Sequence, residues 1–139
     1  MFMTKISVRY GETDKMGVVY HANYFPWFEI GREELFKAYG TSYAEAESRG
    51  LMMPLVDCYA KFHCGAKYGD EVWIEVVPEK LGPVKCKFSY KAFRCSDDKL
   101  LTTGYTTHCF TNTDMRPLNL KKTYPDFYDI LCKMSGDVK

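Results

Sequence analysis

Asp14-Lys15-Met16-Gly17-Val18-Val19-Tyr20-His21-Ala22-Asn23-Tyr24 is the stretch on which the fold turns, because there the chain passes from a loop into a long aromatic segment. Tyr24, Phe25, Trp27, Phe28, Ile30, Leu35, Phe36 and Tyr39 recur at three- and four-residue spacings, which predicts a helix over about residues 21–39. Pro26 is compatible with it because it falls near the first turn, where a missing N–H costs little. So wide an apolar surface needs a curved sheet to wrap it. The junction also gathers chemistry. Asp14 is a candidate base or nucleophile, His21 is a titratable imidazole, and the open N–H groups of a helix start can face a developing oxyanion. Taken singly, the same residues read as a turn stabiliser and a helix cap.

Working outward, Ile6, Val8 and Tyr10 alternate with polar residues and predict a half-buried strand, followed by a turn-rich connection from Gly11 to Gly17. After the helix, Gly40-Thr41-Ser42 ends it and a short second helix is expected over residues 43–49. Strands follow over residues 56–64, 71–79, 84–92 and 100–113, separated by short turns. The last of them carries five threonines between 102 and 111, a composition that suits an exposed or dimer-facing sheet surface. Residues 124–131 read as a terminal helix. The last four strands are joined too tightly for parallel crossovers, so they form an antiparallel meander. The fold class expected is α+β: one domain over residues 1–139, with a long central helix wrapped by a curved antiparallel five-stranded sheet. One helix leaves the far face of that sheet open, which points to a homo-oligomer.

Nineteen basic against eighteen acidic residues leave a net charge of +1, so no bulk field recruits nucleic acid or a membrane. No run approaches the ~20 apolar residues of a membrane span. The first residues lack the basic leader and apolar core of a signal peptide, and a cytoplasmic location is expected. Six cysteines then read as free, mostly buried thiols rather than disulfides. His63-Cys64 and His108-Cys109 resemble metal-ligand pairs, but strand neighbours point to opposite faces, and no metal site is expected.

Element order and motif together resemble the hotdog fold, specifically the 4-hydroxybenzoyl-CoA thioesterase-like branch of acyl-CoA thioesterases. The specific match runs from Val8-Arg9-Tyr10-Gly11-Glu12-Thr13-Asp14 through Gly17, Tyr20, His21, Asn23 and Tyr24 into Phe28-Glu29. A weaker one lies at Ala66-Lys67-Tyr68-Gly69-Asp70, where the family places a turn. The resemblance implies hydrolysis of an acyl-CoA, or of an acyl-carrier-protein thioester, to a free acid and a thiol, without a cofactor. Asp14 is then the catalytic carboxylate, attacking the thioester or activating water. A backbone N–H near His21 meets the oxyanion, and the His21 side chain orients substrate or polarises the carbonyl. Tyr10 is implied to line the same pocket, and Gly17, Tyr20, Asn23 and Tyr24 to border the substrate. A homodimer or homotetramer with sites at subunit boundaries is implied as well.

The phosphates of coenzyme A require cations, and Lys61 and Lys67, near the weaker match, are the candidates. Lys85, Lys87 and Lys91 read better as a solvated strand face. Lys15-Met16 departs from the small residues frequent in relatives, which bears on substrate preference. Two alternatives remain at this point: a hotdog hydratase or dehydratase, and a non-catalytic acyl-ligand-binding subunit. The first would carry a Pro-Gly segment that the chain lacks; the second would not be expected to keep Asp14.

Overall fold

The structure is a computed structural model that describes residues 2–136. Its sheet comprises β1 (Phe2–Ser7), β2 (Leu55–Phe62), β3 (Glu71–Leu81), β4 (Lys85–Arg94) and β5 (Leu100–Cys109), with α1 (Tyr24–Ala38), α2 (Tyr43–Ser48), α3 (Leu120–Thr123) and α4 (Pro125–Gly136) around it. The strand order is β1-β3-β4-β5-β2, and every neighbouring pair is antiparallel, so only β3-β4-β5 form the expected meander while β2 crosses over to pair with β5 instead of β3. This is the expected α+β arrangement, with the long helix α1 packed on a five-stranded antiparallel sheet.

Alternation decides which face α1 covers. Val72, Ile74 and Val76 of β3 and Cys86, Phe88, Tyr90 and Ala92 of β4 are buried beneath it. From α1 itself, Trp27, Phe28, Leu35 and Phe36 are buried, each worth roughly 1.5–3 kcal/mol of transfer free energy. The helix comes so close at Gly31 that a Cβ there would lie 2.8 Å from Val76 Cγ2 and 2.9 Å from Ile74 Cγ2. Any larger residue would force either α1 or these two β3 side chains to shift. Phe28 stacks flat on Tyr90, with ring centroids 4.5 Å apart.

Several expectations need correction. The first strand stops at Ser7, and Tyr10–Glu12 forms a 3-10 turn instead of extending it. The helix is entered through another 3-10 turn, His21–Asn23, before α1 proper. The terminal helix runs on to Gly136 and buries Phe127, Leu131 and Met134, with Phe127 meeting Phe36 of α1. So α1 is not alone on its face of the sheet. The last strand ends at Cys109, not at 113, and its threonines divide between faces: Thr102 and Thr106 are buried while Thr103 and Thr107 are only half-buried. Alternation, not composition, sorted them. The cysteines are free, but Cys86 alone among the six is buried, and Cys58 and Cys132 are exposed.

β2 differs from the other strands. Seven of its eight residues are exposed, Leu55, Val56, Tyr59 and Phe62 among them, and it pairs on one side only, with β5. Among the described residues, no helix is long and apolar enough to cross a membrane.

Candidate active site

Glu12 organises the approach to α1. Burial alone would raise its pKa, but the Arg9 amide, the Trp27 indole and the Arg9 guanidinium together hold it below the ordinary carboxylate value. Its Oε1 accepts from the Arg9 N–H at 2.8 Å and its Oε2 from Trp27 Nε1 at 2.9 Å. Its carbonyl accepts from the Tyr20 N–H at 2.9 Å and from Asn23 Nδ2 at 2.8 Å. One residue thus ties the loop before Asp14 to the turn that opens α1.

Between those ties the chain makes a small hairpin, closed by a bridge between Thr13 and Val19. The Gly17 N–H donates to the Asp14 carbonyl at 3.0 Å, and the Asp14 N–H to the Val18 carbonyl at 2.9 Å. Gly17 sits at φ +79°, a conformation that a side chain disfavours. Asp14 is half-buried, and its Oδ1 accepts from the Met16 N–H at 2.8 Å. Among the described residues its second oxygen has no hydrogen-bond partner. That oxygen is open to a ligand.

At the helix entrance the Asn23 N–H donates to the Tyr20 carbonyl, and the Tyr24 N–H to the His21 carbonyl. The His21 and Ala22 amides have no backbone partner among the described residues, as expected where a helix begins. The exposed His21 ring lies between Tyr20, 4.4 Å away by centroids, and Phe62 at 6.0 Å. Tyr24 is buried against Trp27 and Phe62, and burial pushes its phenol pKa up.

Asp14, His21 and Tyr24 line one open cleft of about 380 Å³, with Val18 and Phe62 supplying apolar wall and His63 and Cys64 completing it. A carboxylate and an imidazole therefore border a common space with aromatic lining, at the turn that opens α1. Such a space can hold an acyl group, bring an oxygen nucleophile to its carbonyl and stabilise negative charge on the carbonyl oxygen.

The other expected residues are placed differently. Tyr20 is exposed and rests on His21, while the Asn23 amide is engaged by the Glu12 carbonyl. Tyr10 does not line the cleft; it is 76 % exposed and meets Tyr68 edge-on. Lys61 lies on the exposed edge strand β2, opposite Thr103, and Lys67 stands exposed in the turn before β3. Neither lysine lines the cleft. Sequence reading missed Glu12, whose only signal was a carboxylate three residues after Arg9 at a turn. It also missed Phe62, His63 and Cys64, which reach the cleft from the end of β2.

A second polar cluster is closed rather than open. Arg32 of α1 is buried and donates from Nε to the Tyr43 hydroxyl and from Nη1 to the Tyr90 hydroxyl at 2.9 Å. The Tyr90 hydroxyl lies 2.7 Å from Thr106 Oγ1, which lies 2.9 Å from His108 Nε2. His108 Nδ1 lies 3.2 Å from the Met53 carbonyl. Burial, reinforced by the Arg32 charge, pushes the His108 pKa down to about 4.

Residues 8–130 match the family profile described as the thioesterase-like superfamily. YneP of Bacillus subtilis, provisionally named an acyl-CoA thioesterase, is 31 % identical over 124 residues, covering 89 % of this chain and 90 % of that one. A 1,4-dihydroxy-2-naphthoyl-CoA hydrolase of Prochlorococcus marinus is 27 % identical over 128 residues, covering 88 % and 82 %. Among solved structures, a DHNA-CoA thioesterase from Staphylococcus aureus superposes with a TM-score of 0.91 at 32 % identity, covering 99 % of this chain and 94 % of the other.

Proposed function

This chain belongs to the thioesterase-like superfamily and is a thioester hydrolase, and we propose that it hydrolyses acyl-CoA in the Asp14 cleft. The observation that carries this reading is the shared cleft of Asp14 and the His21 turn. The thioester carbonyl sits with its oxygen toward the His21 and Ala22 amides, where helix-start donors and dipole favour negative charge. The free Asp14 oxygen then acts in one of two ways. It attacks the carbonyl carbon, expels coenzyme A as the thiolate and leaves an acyl anhydride for water to open. Alternatively it takes a proton from a water that attacks the same carbon. Both routes end in a carboxylic acid and free coenzyme A. His21 orients the substrate from the cleft wall, and Tyr24 and Phe62 pack against the acyl group.

The working unit we propose is a homodimer, associating further to a tetramer. The single-sided, exposed edge strand β2 supports this, since such an edge is otherwise a pairing liability. Phe62 to Gly65, at the end of that edge, line the cleft, and this supports a site at the subunit boundary. Free thiols accord with a cytoplasmic setting.

The test is thiol release from a panel of short-chain, medium-chain and aromatic acyl-CoAs, with 1,4-dihydroxy-2-naphthoyl-CoA included. Hydrolysis of at least one is expected. Water addition to an enoyl-CoA without thiol release would replace this reading with that of a hydratase. Sedimentation at micromolar concentration is expected to show a dimer or larger species, and a strict monomer would contradict the assembly.

A further inference from the structure

We propose that Tyr10, Tyr68, Arg9 and Lys67 form a subsite for the adenine nucleotide end of coenzyme A, an inference that rests on the acyl-CoA reading above. Tyr10 is 76 % and Tyr68 65 % exposed, yet the two rings meet edge to face, with centroids 5.7 Å apart and planes at 82°. They come from separate segments, and the backbone locks those segments together. The Val8 N–H donates to the Asp70 carbonyl at 2.9 Å, and the Gly69 N–H to the Val8 carbonyl at 3.2 Å. Within the turn, the Asp70 N–H donates to the Lys67 carbonyl at 3.0 Å, and Asp70 Oδ2 accepts from the Lys67 N–H at 2.9 Å. The tyrosine at the tip is therefore held out on a closed turn rather than on a loose loop, so little ordering is left for a ligand to impose.

Charge points to the same ligand. Arg9 follows Val8 directly and so stands beside this turn, its side chain 81 % exposed and 3.5 Å from the Glu12 carboxylate. The exposed Lys67 side chain has no ion-pair partner among the described residues. Asp70, the acidic residue of the turn, is engaged by the Lys67 amide and lies 3.8 Å from Arg94. An exposed aromatic pair flanked by cations suits a flat heteroaromatic ring bearing phosphates. Position agrees. Gly65 lines the cleft two residues before Lys67, and Tyr10 is bonded through its carbonyl to Thr13, the neighbour of Asp14. A thioester held at Asp14 can then run its nucleotide tail over this rim. Lys61 drops out, because it lies on the β2 edge proposed for the partner subunit.

Two measurements test this. In the first, the wild-type protein and the variants Tyr68→Ala and Arg9→Ala are assayed with one acyl group carried on coenzyme A and on N-acetylcysteamine, which lacks the nucleotide. Tyr68→Ala is expected to raise KM for the coenzyme A thioester about tenfold, with kcat held and the N-acetylcysteamine thioester unaffected. Tyr68→Trp restores the lower KM. Equal losses on both thioesters, or none on either, would overturn the subsite. The second measurement is calorimetric binding of adenosine 3′,5′-bisphosphate, which needs no turnover. Binding by the wild type that weakens about tenfold in Tyr68→Ala supports the subsite even if no thioester is cleaved. A wild type that cleaves acyl-CoA but gains nothing from the nucleotide in either assay leaves the hydrolase reading standing and removes this one.

Discussion

The entrance of α1 and its middle treat polar groups in opposite ways. At its entrance, among the described residues, Asp14 keeps one carboxylate oxygen without a partner, and the His21 and Ala22 amides stay without backbone acceptors. Further along, the Arg32 guanidinium, two tyrosine hydroxyls, a threonine and His108 form a continuous buried chain that ends on the Met53 carbonyl. Residue type does not distinguish the two regions, for each holds a charged group and an imidazole. Saturation does. A buried polar group is tolerable only when its bonds are made, whereas one at a cleft can wait for substrate. Glu12 and Asp14 repeat the contrast two residues apart. Both Glu12 oxygens are bonded and hold structure; among the described residues one Asp14 oxygen has no partner, as the proposed chemistry requires.

The contrast can be broken most severely at Asp14. Asp14→Asn is expected to keep fold and oligomer while turnover falls about 100-fold or more, read as kcat in a thiol-release assay. Near-normal turnover would dissolve the distinction between the two regions. The closed region should instead answer to acid. His108 has a folded pKa of about 4 against an unfolded value near 6.5, so the unfolded chain binds the extra proton first. Its stabilising effect is present in full above about pH 6.5 and is lost as the pH falls toward 4, by on the order of 3 kcal/mol. Chemical denaturation at a series of pH values checks this, and His108→Gln should flatten the slope in that window.

Glu12→Gln sharpens the boundary between the regions. It leaves the Trp27 indole or the Arg9 amide poorly paired, and a loss of about 1–2 kcal/mol in stability is expected, with kcat falling more than KM changes. A variant that loses stability but no kcat would mark Glu12 as a purely structural residue. The smallest effect is expected at the exposed Arg49–Asp126 pair, although it is bidentate, with contacts of 2.6 and 3.0 Å. Asp126→Asn should barely move Tm, because solvent and salt screen such pairs.

Much of this architecture was legible in periodicity. The three- and four-residue spacing from Tyr24 to Tyr39 marked α1, and the alternation of Cys86, Phe88, Tyr90 and Ala92 marked the inner face of β4. The limits lay where local pattern gives way to tertiary contact. Val8 and Tyr10 continue the alternation of β1, yet strand pairing stops at Ser7, because Val8 already bonds the turn before β3. Thr102 and Thr106 are chemically like Thr103 and Thr107, and only register decides which pair faces α1. At the site, Asp14, Gly17 and His21 stood out because turn and helix start converge in one short segment. Phe62, His63 and Cys64 did not, since they arrive from a strand roughly forty residues away along the chain, and closure of that distance is a property of the fold. Glu12 was hidden for a related reason: an isolated acidic residue in a turn gives no sign that an indole from the next helix will reach it.

The most direct test is a crystal structure of the protein with a non-hydrolysable acyl-CoA analogue. The acyl carbonyl carbon is expected beside residue 14, its oxygen about 3 Å from the His21 or Ala22 amide, and the acyl group against Tyr24 and Phe62. An analogue bound elsewhere, with its carbonyl out of reach of both residue 14 and those amides, would contradict the proposed site.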